Sequence, residues 1–113
     1  MRRSGMTVLG ILLLASPLLG ADAKECLDLA AHIDADFSSQ SGVRVTVTGR
    51  NHCSEDVDSG QARFKVKVFG SGSSPATQRG RFGGKVAPGG SVETMVFVEC
   101  DPTRASSVTV EAD

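Results

Sequence analysis

The stretch Val43-Arg44-Val45-Thr46-Val47-Thr48 decides the fold. Three valines alternate with Arg44, Thr46 and Thr48, and β-branched residues at period two specify an extended strand with one face buried. Immediately upstream, Leu27, Leu29, Ala31, Ile33, Ala35 and Phe37 alternate with Asp28, Ala30, His32, Asp34 and Asp36. Leu and Ala favour helices, but the sustained alternation makes this segment a second strand. Ser38-Ser39-Gln40-Ser41-Gly42 is the turn between them, so the two strands form a hairpin. Downstream, Ala62, Phe64, Val66 and Val68 occupy one face of a strand whose other face carries Arg63, Lys65, Lys67 and Phe69. Gly70-Ser71-Gly72-Ser73-Ser74-Pro75 breaks it. A weaker strand is expected over 77–82, then a tight turn at Ala87-Pro88-Gly89-Gly90. The next strand, 92–99, is apolar on both faces at Met95, Val96, Phe97 and Val98, a pattern expected of a strand in the middle of a sheet. Val108 and Val110 mark a last short strand. Strands at this spacing, punctuated by Gly, Ser and Pro, predict an all-β antiparallel sandwich of about six to seven strands.

Composition narrows the function classes. The chain has 113 residues with 12 Lys+Arg, 13 Asp+Glu and a net charge of -1, which argues against a nucleic-acid binder, whose phosphate contacts need a basic surplus. Its length excludes a multidomain enzyme. Aromatic residues make up 4%, all of them Phe, so the core must be built from Val, Leu, Ile, Phe and Met.

The first residues read as an export signal. Met1-Arg2-Arg3 is a positive start, Val8-Leu9-Gly10-Ile11-Leu12-Leu13-Leu14-Ala15 an apolar core, and Ala21-Asp22-Ala23 a small-x-small cleavage site. A signal peptide is therefore expected over 1–23 and a single domain over 24–113. The apolar run is short for a membrane anchor, and Lys24-Glu25 before Cys26 does not suit lipid attachment, so no anchor is expected after cleavage. The expected destination is the periplasm or the extracellular space.

Val45-Thr46-Val47-Thr48-Gly49-Arg50-Asn51, Phe64-Lys65-Val66-Lys67-Val68-Phe69, and Val86-Ala87-Pro88-Gly89-Gly90-Ser91 leading into Val96-Phe97-Val98 resemble small bacterial immunoglobulin-like domains of the FxLYD type. The resemblance spans roughly residues 43–98. It implies an immunoglobulin-like sandwich acting outside the cytoplasm as a scaffold or binding module, and it carries over no catalytic residue.

Three cysteines, Cys26, Cys53 and Cys100, all lie in the expected domain, as suits an oxidising compartment. A hairpin turning at Ser39/Gln40 places Cys26 opposite Cys53, beyond its open end and within bridging reach. Cys53–Cys100 is the alternative, disfavoured because simple up-and-down tracing puts Cys100 at the opposite end. The remaining thiol is expected to be buried.

Catalytic and metal patterns are thin. There is no Gly-x-Ser-x-Gly, and the only histidines are His32 and His52. The glycines of 70–72 and 80–84 do not open a helix bearing Lys-Ser/Thr, so they form no phosphate loop. His52 and Cys53 beside Glu55, Asp56 and Asp58 include soft-metal ligand types, yet lack paired-ligand spacing. Asp56-Val57-Asp58-Ser59-Gly60 lacks the terminal Glu of a calcium loop. The expectation is therefore no enzyme, no metal and no cofactor. The alternative is a small metal- or redox-handling protein using His52, Cys53 and Cys100.

One surface feature remains. Arg63, Lys65 and Lys67 line a strand face, and Arg79, Arg81 and Lys85 are expected to return beside it in a stripe opposing Asp28, Asp34 and Asp36 of the first strand, with Phe69 and Phe82 at its margins. Such a stripe fits an unidentified protein or envelope component of acidic character. Outward Lys and Arg that protect a sheet edge from aggregation are the competing reading.

Overall fold

The computed structural model describes residues 22–39, 41–70 and 72–113. The leader expected over 1–23 lies outside these residues except for Asp22 and Ala23. Those two belong to the packed domain: Asp22 caps a four-residue helix α1 (Ala23–Cys26), accepting from the Lys24 amide, and Ala23 is buried. Among the described residues no helix is long and apolar enough to cross a membrane.

The protein is an all-β antiparallel sandwich. One layer holds β1 (Leu27–Ser39), β2 (Gly42–Asn51) and β7 (Ser91–Glu99) in the order β1-β2-β7. The other holds β4 (Arg63–Phe69), β5 (Ala76–Arg81) and β8 (Ser107–Ala112) in the order β5-β4-β8. Two short strands, β3 (Val57–Asp58) and β6 (Lys85–Val86), pair separately. Every pairing is antiparallel. The layers close with β1 against β8 and β5 against β7.

Alternation explains the core. Val43, Val45 and Val47 of β2, Phe64, Val66 and Val68 of β4, and Val98 of β7 are buried between the layers. Leu29, Ala31, Ile33, Val108 and Val110 pack against them from the outer strands, half-exposed. Burying a valine-sized side chain stabilises by roughly 1.5–3 kcal/mol, so these few residues carry most of the apolar driving force. Phe64 meets Phe82 with ring centroids 5.1 Å apart and planes tilted by 50°. Gly80 on β5 is an inward position that admits no larger residue, since a Cβ there would lie 2.8 Å from the Phe64 ring and 3.0 Å from a Val96 methyl.

The structure corrects two details. The β1–β2 pairing runs Leu27↔Asn51, Asp28↔Arg50 and onward, one residue off a straight hairpin turning at Ser39/Gln40, because β1 is irregular between Asp34 and Ser39. β7 is an edge strand, bonded to β2 alone, and its outward Met95 and Phe97 are 52% and 41% exposed.

Candidate binding surface

The loop after β2 is built on a buried asparagine. Asn51 has no exposed surface, and its Nδ2 donates to the Glu55 carbonyl at 2.8 Å and the Val86 carbonyl at 3.0 Å. Its Oδ1 accepts from the Cys53 amide at 2.9 Å, while its backbone amide and carbonyl bond Gly90 and Gly89. Ser59, equally buried, donates from both its hydroxyl (2.7 Å) and its amide (2.9 Å) to the Gly84 carbonyl. These two residues fasten the 51–60 loop to the 83–90 turns. Neither was flagged by the sequence, where both sit in polar runs that read as solvated loop.

Beside this hub Cys26 and Cys53 are bridged, with Cα atoms 5.3 Å apart. The His52 amide donates to the Cys26 carbonyl at 3.0 Å. Cys100 is a free thiol, partly exposed rather than buried. It follows β7, where its amide bonds the Ser41 carbonyl at the far end of the sheet from Cys53. The alternative Cys53–Cys100 bridge is therefore not made, and His52, Cys53 and Cys100 are not brought together. His52 instead pairs through Nδ1 with the Asp28 carboxylate at 3.0 Å on an exposed surface. Among the described residues no group of three His, Cys, Asp or Glu side chains is placed to hold a metal. Thr103 donates its hydroxyl (2.7 Å) and amide (3.0 Å) to Asp101, and these bonds hold that carboxyl below its usual range. Asp101 is exposed and far from the hub in sequence.

Five of the six basic residues converge, whereas Lys85 lies opposite Asp58 on the separate β3–β6 ladder. β4 and β5 pair so that Arg63 faces Arg81 and Lys65 faces Arg79, with Lys67 next in line opposite Thr77. Because Phe64, Val66 and Val68 point inward, all five cations stand on the outer face of the β5-β4-β8 layer. Two carboxylates from the β8 side answer them: Lys67 Nζ lies 3.2 Å from Glu111, and Arg79 Nε 2.8 Å from Asp113. Arg63, Arg79, Gly80, Arg81 and Asp113 line an open cavity of about 350 Å³. Phe69 continues the row at 37% exposure. Phe82 does not belong to the surface: it is 4% exposed, with its ring against Phe64 and close to Gly49. Strand parity explains this, since Arg79 and Arg81 point out and residue 82 follows the inward phase.

Asp28 and Asp34 of the first strand do not share this face, and the side chain of Asp36 lies outside the described residues. Asp28 and Asp34 stand on the outside of the other layer, where Asp34 accepts from Arg44 Nε (3.2 Å) and the Thr46 hydroxyl (3.1 Å). Comparison with known proteins finds no matching family model, no similar curated protein and no matching solved structure.

Proposed function

We propose that this protein is an exported, non-catalytic binding module of immunoglobulin-like type that docks an acidic protein or envelope component on its β4–β5 face. The observation that carries the reading is the pair of like-charge couples, Arg63↔Arg81 and Lys65↔Arg79, set directly opposite each other across two hydrogen-bonded strands. Like charges in that position destabilise a sheet. Edge protection calls for isolated outward cations and does not require β4, the middle strand of its layer, to be basic as well. Five cations against two carboxylates leave a local positive field that an acidic partner neutralises, and that also speeds its approach. Periplasmic or secreted placement is supported by the leader-like first residues and by the Cys26–Cys53 bridge, which is compatible with an oxidising compartment.

The test is recovery of partners from the envelope or extracellular fraction with the purified protein as bait, beside the Arg79→Glu/Arg81→Glu variant. Salt-sensitive capture of an acidic partner by the wild type and its loss in the variant are expected. Equal recovery by both proteins removes this face as the docking surface.

A further inference from the structure

We infer that Arg63 and Arg81 form a subsite for one phosphate monoester, the group by which this face recognises its partner. The subsite rests on the reading of the β4–β5 face as a docking surface, and it narrows the acidic partner to one that carries a terminal phosphate.

The cations of the face are not equivalent. Lys67 is answered by Glu111 and Arg79 by Asp113. Among the described residues the side chains of Arg63 and Arg81 have no such partner, although they stand directly opposite each other. A carboxylate lies next to Arg63. The β4–β8 ladder pairs Phe64 with Ala112, and the Asp113 amide donates to the Arg63 carbonyl at 3.0 Å, which sets Asp113 beside Arg63. Its carboxylate nevertheless accepts from Arg79 Nε, which reaches diagonally over β4 from its place opposite Lys65. The chain thus spends its nearest counter-charge elsewhere and leaves the Arg63–Arg81 couple bare.

These residues line the open cavity of about 350 Å³ at the Arg63 end of β4. Within it Arg79 and Asp113 cancel, so the charge left over is that of Arg63 and Arg81 alone. Side chains directly opposite in an antiparallel pair start from Cβ atoms only about 4.5–5.5 Å apart, so both guanidinium forks can close on one tetrahedral group. Charge selects that group. A carboxylate, a phosphate diester and a sulfate ester each carry a single negative charge, whereas a phosphate monoester carries about −1.5 to −2 at neutral pH. Of these the monoester alone balances both arginines. Residue type agrees, since a planar guanidinium binds phosphate oxygens in bidentate fashion and an ammonium does not. Both bare positions in the cavity are arginine, and the lysines of β4 lie further along the strand, outside it.

An NMR titration with methyl phosphate at constant ionic strength, read on backbone amide and arginine Nε–H signals, tests this. Saturable shifts centred on Arg63 and Arg81 are expected. Dimethyl phosphate and acetate should bind roughly tenfold more weakly or worse. Arg63→Gln and Arg81→Gln should each weaken methyl phosphate binding about tenfold with unchanged circular dichroism, and Lys85→Gln, on the separate β3–β6 ladder, should leave it as it is. Asp113→Asn, which releases Arg79, should tighten it. Flotation with vesicles of matched charge, containing phosphatidic acid (a monoester) or phosphatidylglycerol (a diester), separates the sources. A preference for phosphatidic acid that Arg63→Gln removes places the ester on a lipid headgroup, and methyl phosphate binding without that preference places it on a water-soluble partner. No saturable shift with methyl phosphate, an equal response to dimethyl phosphate or acetate, or a response indifferent to Arg63→Gln overturns the subsite. If partner capture then still fails in Arg79→Glu/Arg81→Glu, the docking face stands without it. Methyl phosphate binding beside equal capture by both proteins instead keeps the subsite and removes the docking role.

Discussion

The Asn51 hub and the β4–β5 face are both rich in polar groups, and they treat them in opposite ways. At the hub each polar atom of the asparagine side chain has a partner within 3.0 Å, and the residue is wholly buried. On the face, cations are aligned with cations and two carboxylates serve five of them. Saturated polar groups with no access to solvent fix a shape. Charges left facing their own sign give up stability, a cost that the proposed docking role would account for.

Breaking the hub should have the largest effect. Asn51→Leu keeps the approximate volume but leaves the Glu55 and Val86 carbonyls and the Cys53 amide without partners. At about 1–3 kcal/mol for each such group, a loss of roughly 4 kcal/mol is expected in chemical denaturation, with no specific effect on partner capture beyond unfolding. Opening the neighbouring bridge with Cys26→Ala/Cys53→Ala should cost on the order of 3 kcal/mol, from the restored freedom of the intervening loop in the unfolded chain. The same variant sharpens the comparison, because at a temperature where it stays folded the cationic face should still capture its partner. The smallest effect has the opposite sign. Arg81→Glu replaces a like-charge couple with an attractive one and should stabilise the fold by about 0.5 kcal/mol while weakening partner binding. A variant that loses both stability and binding would mean that the face is structural after all.

The fold was legible because its strands obey period two almost without exception: Val43, Val45 and Val47, or Phe64, Val66 and Val68, are enough to orient two layers. The disulfide was legible for the same reason, since a hairpin fixes what lies beyond its open end, and the one-residue offset in β1 did not move Cys26 out of reach of Cys53. The cationic face followed from the same alternation. What remained hidden depended on long-range geometry. Asn51 and Ser59 are polar, and only the closure of the 51–60 loop onto the 83–90 turns buries them. The edge position of β7 was hidden because the apolar run Met95–Val98 resembles that of a central strand, while Met95 and Phe97 in fact stand exposed on the outer face. Phe82 was misassigned although the parity of Arg79 and Arg81 already pointed it inward.

The order of the cysteines along the chain has a kinetic consequence. If the chain is exported from its N-terminus, as proposed, Cys26 and then Cys53 enter the oxidising space while Cys100 is still behind. The native pair would then close before a competing thiol arrives, and the slow reshuffling that delays many oxidative folding reactions would be bypassed.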